Sequence, residues 1–450
     1  MKDLTVGSEH KVILKFTLPI LLGNLFQQLY NTIDSIIVGN FLGKNALAVV
    51  SSCFSITFAI LLIIMGLTLG TNILIAQYYG ARDTYKVKKA IDTSYIFLFI
   101  LSLLITTLGI IFSKYILVIF NVPEEILSEA TIFLRILFIG TISSFGYNAI
   151  SSILRGIGDS KTPLYFLMAS TLINIILDLI FITLLKSRAS GAALATILSQ
   201  SFSFIGIFIY FNKFYSQFKF NIKNVCFDKN ILKLSLRIGL PAALQKLFLS
   251  GGILINQILI NSFGATSMAA FAAASKLDSF AQMPAANLGD ALSVFTAQNI
   301  GANKPSRVKK GYISTFIIGS VICTIISLIV ILFSKQLMSL FVKDMSVIKI
   351  GMGYLTIVGL FYIAYSAMNV TNGFLLGTKN SVAGMISTIV SLWCIQLPIS
   401  IFLSHKIGLS GIWFGIPAGW LSGFAIRFFF YLRYTSDKHQ NYTPQKRASL

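Results

Sequence analysis

Long apolar runs recur along this chain, and they decide what it can fold into. Twelve are readable, at roughly 12–40, 47–75, 91–112, 128–153, 162–185, 190–211, 234–260, 268–297, 311–332, 345–371, 381–403 and 408–431. Short polar or Gly/Pro breaks separate them, and each run reaches the roughly 20 residues a helix needs to cross a bilayer. Only 11% of the 450 residues are charged, against about 25% in a soluble chain. That excludes a soluble enzyme, a disordered protein and a nucleic-acid-binding domain. The expected fold is an all-α membrane protein of twelve transmembrane helices.

The formal net charge is +21, and topology accounts for most of it. An even number of spans puts both termini on one side. Of the 36 Lys and Arg, 24 fall on that side, 7 on the other and five (Arg135, Lys246, Lys276, Lys349, Arg427) within or near spans. Basic loops stay cytoplasmic, so both termini are expected in the cytoplasm of a multi-pass inner (plasma) membrane protein. The excess is not a nucleic-acid surface, and no nucleic-acid partner is expected.

The four cysteines, Cys53, Cys226, Cys323 and Cys394, lack metal-ligand spacing and read as small buried residues. With only His10, His405 and His439, a zinc site or a histidine-based triad has almost no raw material. No enzyme activity and no cofactor are expected. The first apolar run is too long for a cleavable signal and reads as a retained span.

The two halves repeat. Ala-Gln-Tyr-Tyr-Gly-Ala-Arg at 76–82 returns as Ala-Gln-Asn-Ile-Gly-Ala-Asn at 297–303, an offset of 221. Val87-Lys88-Lys89 matches Val308-Lys309-Lys310, Gly156 matches Gly377, and Leu18-Pro19 matches Leu240-Pro241 one residue further on. Such an offset, held over some 170 residues, is the mark of duplication. Six spans per copy put the two copies in the same orientation, a parallel repeat. The expected organisation is an N-terminal six-helix lobe at 1–211, a cytoplasmic linker at 212–233, a C-terminal six-helix lobe at 234–434 and a disordered tail at 435–450. Pro19 and Pro241 hold matching places in the first and seventh spans and read as hinges.

Acids within spans are costly and point to function. Four are present: Asp34, Asp178, Asp278 and Asp290. Tyr30, Asn31 and Asp34 share one helical face, which Asn24 and Gln27 extend. Asn174 and Asp178 lie one turn apart in the fifth span, and Thr196 interrupts the sixth. These groups offer only oxygen and amide ligands, a set suited to Na⁺ at Asp34, Asn174, Asp178 and Thr196 or to a shared proton. Two close carboxylates in low dielectric resist ionising together. Asp278, Gln282 and Asp290 share the eighth span with Lys276, and read either as a structural ion pair or, with Asn31 and Gln27, as substrate contacts. Arg135 and Lys246 read as buried partners or snorkelling side chains.

These features together resemble the multidrug and toxic compound extrusion (MATE) family, over essentially the whole chain. The resemblance rests on the two six-span lobes and on Pro19…Asp34…Gly39…Gly43. Gln77…Gly80-Ala81 with Gln298…Gly301-Ala302, Leu154-Arg155-Gly156…Gly158-Asp159, and Asn174…Asp178 add to it. It implies secondary active antiport, in which an organic, mainly cationic compound leaves the cytoplasm as Na⁺ or H⁺ enters. It places Tyr30, Asp34, Asn174, Asp178 and Thr196 in the polar cluster used by prokaryotic members with an aspartate in the first helix. Other members rely on an acid in the seventh helix, and this chain has none there. The expected partners are small organic substrates and the lipid bilayer, with the chain acting as a monomer. A lipid-linked precursor flippase of the same superfamily and a dedicated metabolite exporter are the rival readings.

Overall fold

A computed structural model describes residues 3–185, 187 and 189–441, apart from the side chains of 31, 34–36, 38–40, 43–45, 47, 222 and 437–441. Among the described residues every regular element is helical. In order they are α1 (Glu9–Gly80), α2 (Thr84–Ile119), α3 (Glu124–Gly156), α4 (Lys161–Leu179), α5 (Ala189–Phe214), α6 (Lys229–Asn261), α7 (Ala265–Gly301), α8 (Pro305–Leu332), α9 (Ser334–Ser339), α10 (Met345–Gly359), α11 (Tyr362–Gly377), α12 (Ser381–Thr388), α13 (Leu397–Ile407) and α14 (Leu409–Asn441). Two π-helical segments, Ile180–Leu184 and Ile389–Gln396, continue α4 and join α12 to α13.

The helices follow the rule for association in lipid, where small and polar residues face neighbouring helices and bulky apolar ones face outward. On α2 the buried stripe is Leu98, Ser102, Thr106, Gly109, Ser113 and Leu117, while Ile100, Leu104, Leu108 and Ile111 are exposed. The Thr106 hydroxyl donates to the Phe138 carbonyl at 3.0 Å, and Gly109 lies so close to the Phe138 ring that a Cβ there would be 2.1 Å from it. In the second half α8 repeats the pattern with Gly311, Thr315, Gly319, Cys323 and Ser327 buried.

Four spans depart from the expected segmentation. The first two apolar windows, Glu9–Tyr30 and Ala48–Gly80, lie on one continuous helix. Its 72 residues would measure about 108 Å if straight, over three hydrocarbon thicknesses. The tenth span is two helices, α10 and α11, bent by 51° at Leu360 and Phe361. The eighth, α7, is not among the ten helices apolar enough to qualify alone, because it carries Lys276, Asp278, Gln282 and Asp290. At the end of the chain α14 continues to Asn441, into the segment read as disordered tail; 442–450 lie outside the described residues. Cys53 and Cys323 are buried as expected, but Cys226 and Cys394 are exposed, the former in the linker and the latter on the π-helical segment after α12.

The duplication extends to backbone conformation. Arg82 and Asn303, 221 apart, take left-handed φ values of 58° and 56°. Gly158 and Lys379, also 221 apart, take 88° and 66°. The helix-ending bonds repeat too: Asp83 N–H donates to Tyr78 O at 3.0 Å and Lys304 N–H to Asn299 O at 2.9 Å. Asp159 to Leu154 O and Asn380 to Leu375 O are both 2.8 Å.

The chain forms two compact units. The first comprises Met1–Gly7, Leu14–Ala243 and Ala297–Lys304; the second, Ser8–Ile13, Leu244–Thr296 and Pro305–Leu450. In the first unit small residues such as Cys53, Ala130, Ala189 and Ala193 pack with Leu117, Phe133, Leu134 and Phe138 in one core. The inter-lobe linker is held there: Phe218 is fully buried, and Asp92 on α2 accepts from Lys88 and, at 3.4 Å, from the Cys226 N–H. In the second unit Trp413, Trp420, Tyr354 and Tyr362 anchor an aromatic core with Ala273, Ala274, Ala281 and Ala285.

Candidate functional site

In the first unit, α4, α5 and α1 bring together four of the five residues read as a cation or proton cluster. Asn174 and Asp178 lie one turn apart on α4, 1% and 0% exposed. With the Asn174 amide turned to satisfy both neighbours, its nitrogen donates to Asp178 Oδ2 at 2.8 Å and its oxygen accepts from the Thr196 N–H on α5 at 3.3 Å. The Thr196 hydroxyl lies 3.3 Å from the Tyr30 hydroxyl on α1 and donates to Ala192 O at 3.0 Å. Two serine bonds zip α4 to α5 beside it: Ser170 to Ser199 O at 2.9 Å and Ser203 to Phe166 O at 3.1 Å. Just past Asp178 the helix widens into its π-helical turn, a feature that frequently marks functional sites. The fifth residue, Asp34, stands one turn beyond Tyr30 on α1; its side chain and that of Asn31 lie outside the described residues. Gln27 is half-buried on α1.

In the second unit Asp278 on α7 is 7% exposed and accepts three hydrogen bonds from neutral donors. Tyr354 donates to Oδ2 at 2.8 Å, Tyr362 to Oδ1 at 2.8 Å, and Gln282 Nε2 to Oδ2 at 2.6 Å. Rings close around it: Phe271 stacks on Trp413 at 5.7 Å, Tyr354 meets Trp413 edge-on at 4.9 Å, and Tyr365 lies 5.0 Å from Trp420.

Among the described residues the structural ion pair read for Lys276 does not form. Lys276 is exposed and Asp278 buried, because two residues along a helix they point to different faces. Asp290 is exposed, three turns from Asp278 on α7, and does not join its cluster. Arg135 is exposed and donates through Nε to the buried Ser113 Oγ at 3.0 Å, which fits a snorkelling side chain and not a buried one, and Lys246 is half-buried on α6. Pro19 and Pro241 both lie inside helices, α1 and α6.

The sequence reading gives no role to two buried charges. Asp92 is 1% exposed, although it stands at the edge of its apolar run. Arg427 is 3% exposed, and its neighbours come from distant segments. The Tyr354 and Tyr362 contacts to Asp278 span 76 and 84 residues, so no local pattern announces them.

Known proteins align with this arrangement. A family model described as MatE matches residues 19–180 and again 241–402, so its two matches begin on Pro19 and Pro241. The probable multidrug resistance protein YoeA of Bacillus subtilis is 32% identical over 416 residues, covering 90% of this chain and 89% of the relative. The multidrug export protein MepA of Staphylococcus haemolyticus is 24% identical over 437 residues, with 96% of each chain covered. A solved outward-facing conformation of a multidrug resistance MATE family transporter of the MOP superfamily superposes with a TM-score of 0.91 at 25% identity, covering 98% of this chain and 99% of that one.

Proposed function

The chain belongs to the MatE family of transporters, and from that premise we propose that it exports small organic compounds by secondary antiport against H⁺ or Na⁺. The observation that carries the proposal is the Tyr30–Thr196–Asn174–Asp178 chain of contacts. It sets a fully buried carboxylate among neutral oxygen and amide groups, one helical turn from the π-helical widening of its own helix.

A buried carboxylate has two stable conditions in a membrane: ionised beside a cation, or protonated. Loading Asp34 and Asp178 with a proton or Na⁺ lowers their net negative charge by one and changes what α1 prefers to pack against. Tyr30 carries that change to α1, whose Pro19 supplies a point of bending without the loss of a further backbone bond. Export follows if the loaded form disfavours bound substrate, since coupling is a difference in affinity between two states. The names of the YoeA and MepA relatives support a multidrug substrate range. The basic loops support a plasma-membrane orientation with both termini in the cytoplasm.

Reconstituted vesicles test this. Efflux of a cationic dye should be driven by an inward pH gradient or Na⁺ gradient, each imposed alone, and Asp34→Asn and Asp178→Asn should each abolish the driven component. Driven efflux that survives in both variants would defeat the proposal.

A further inference from the structure

Arg427, on α14, is a buried cation with no carboxylate beside it among the described residues. Among the described residues its guanidinium makes two hydrogen bonds, both to neutral acceptors: Nη1 to the Met368 carbonyl on α11 at 3.1 Å and Nη2 to Thr388 Oγ1 on α12 at 2.9 Å. Its Nε–H is buried with no partner. An arginine cannot lose its charge in a protein, so here it lies desolvated inside a membrane helix without a counter-charge.

The polar groups around it are tied to one another. Thr388 Oγ1 also accepts from Gln245 Nε2 at 3.1 Å, and Gln245 Nε2 reaches Asn372 Oδ1 at 3.2 Å. Because Oδ1 of Asn372 takes that bond, its amide nitrogen turns away from Gln245, and no partner for that nitrogen occurs among the described residues. Gln245 and Asn372 are only half-buried, so this side of the network is open. Gly384 keeps it so, since a Cβ there would stand 2.6 Å from Asn372 Oδ1 and 3.2 Å from Gln245 Oε1. The network thus offers a fixed positive charge and spare N–H groups, with no acid to neutralise them.

Two turns earlier on the same face of α14, Trp420 packs against Tyr362 and Tyr365, and Tyr362 is a donor to Asp278. Seven residues of helix separate Trp420 from Arg427, about 10 Å of rise. Among the described residues the second unit therefore holds a buried acid and a buried base that are not paired with each other.

We propose that Arg427, with the Asn372 amide nitrogen that Gln245 positions, is an anion subsite that binds the carboxylate of a zwitterionic transported molecule. The inference rests on the transporter reading above. A guanidinium is suited to the task because its planar fork matches a carboxylate.

The test uses two dyes that differ by one ester. Rhodamine 19 carries a free carboxylate and is zwitterionic, and rhodamine 6G is its cationic ethyl ester. Binding of each to the purified full chain in nanodiscs is followed by fluorescence anisotropy. Arg427→Gln should weaken rhodamine 19 by about 30-fold or more, as expected when a buried charge pair loses one partner, and leave rhodamine 6G within about 3-fold. Arg427→Lys, which keeps the charge without the fork, should fall between. In the wild type, benzoate should raise the apparent Kd for rhodamine 19 and not for rhodamine 6G, a readout that needs no variant to fold. Equal losses for both dyes, or no benzoate effect, would make Arg427 a structural tie between helices and overturn the proposal. A wild type that binds rhodamine 6G but not rhodamine 19 overturns the subsite and leaves the transporter reading standing; binding of neither dye overturns both.

Discussion

A methyl group on Gly80 would sit 2.0 Å from the carbonyl oxygen of Gln298, and the relation is reciprocal: one on Gly301 would sit 1.9 Å from the carbonyl oxygen of Gln77. The two copies of the repeated Ala-Gln-x-x-Gly-Ala motif cross backbone to backbone within the first unit, each glycine seating the other motif's glutamine carbonyl. The N-terminal segment closes over the crossing. Leu4, 1% exposed, donates its N–H to Gln298 Oε1 at 3.1 Å, and Asn299 Nδ2 and Lys304 Nζ donate to Leu4 O and Thr5 O at 3.2 and 2.9 Å.

Alanine at Gly80 or Gly301 should therefore force the crossing apart. The obstructing atoms are backbone and cannot swing aside as a side chain would. Each substitution should cost about 1–3 kcal/mol, the usual range for overpacking. Because both act on one contact, the double variant should cost clearly less than the sum. Thermal unfolding in detergent measures all three, and strict additivity would show that the crossing is not one unit.

The Asp178 cluster separates coupling from folding. Tyr30→Phe removes the 3.3 Å contact with Thr196 and should cost about 0.5–1.5 kcal/mol, with a modest fall in transport rate. Asp178→Asn keeps the side chain's size and a bond to Asn174, so the protein should fold with a near-normal melting temperature. Efflux in vesicles should then lose its dependence on the imposed ion gradient. A Tyr30→Phe variant as defective as Asp178→Asn would mean that the hydroxyl, not the carboxylate, carries the ion.

What could be read in advance follows from how local each signal is. The spans were legible because twenty apolar residues in a row mean little else. The duplication was legible because motif spacing survives when residues between motifs change. Asn174, Asp178 and the Thr196 contact were legible because two share a helical face and the third breaks an apolar run. Three things were hidden for the same reason in reverse. The continuity of α1 depends on a stretch whose composition resembles a break, and the bend between α10 and α11 carries no proline. The tyrosine partners of Asp278 and the partners of Arg427 come from helices tens of residues away, where no periodicity connects them.

Asp278 gives a prediction about stability. Its carboxylate is 7% exposed and held by three donors. Asp278→Leu would strand two tyrosine hydroxyls and an amide in an apolar core, at about 1–3 kcal/mol for each group left unsatisfied. Asp278→Asn leaves an oxygen to accept from at least one tyrosine and should be milder. The melting temperature should therefore fall in the order wild type, Asn, Leu. A leucine variant as stable as wild type would mean that the tyrosines find other partners or water.

The inter-lobe linker should loosen in acid. Asp228 accepts the N–H groups of Asn230 and Ile231 at 2.9 and 3.2 Å, capping the start of α6, and its Oδ2 lies 3.6 Å from Lys89 Nζ. Those bonds, led by that from Ile231, hold its carboxyl below the ordinary value of 3.8. A depressed folded-state pKa stabilises above the unfolded value, and the stabilisation is lost as pH falls through the folded one. The cap should thus be intact at neutral pH and fail only below about pH 4. Asp228→Asn keeps one accepting oxygen but loses the attraction to Lys89, so its linker should open at every pH with no acid transition of its own. Limited proteolysis of residues 215–228 against pH reads this directly. A wild-type cleavage rate that rises near pH 6 would assign the linker's hold to some other group.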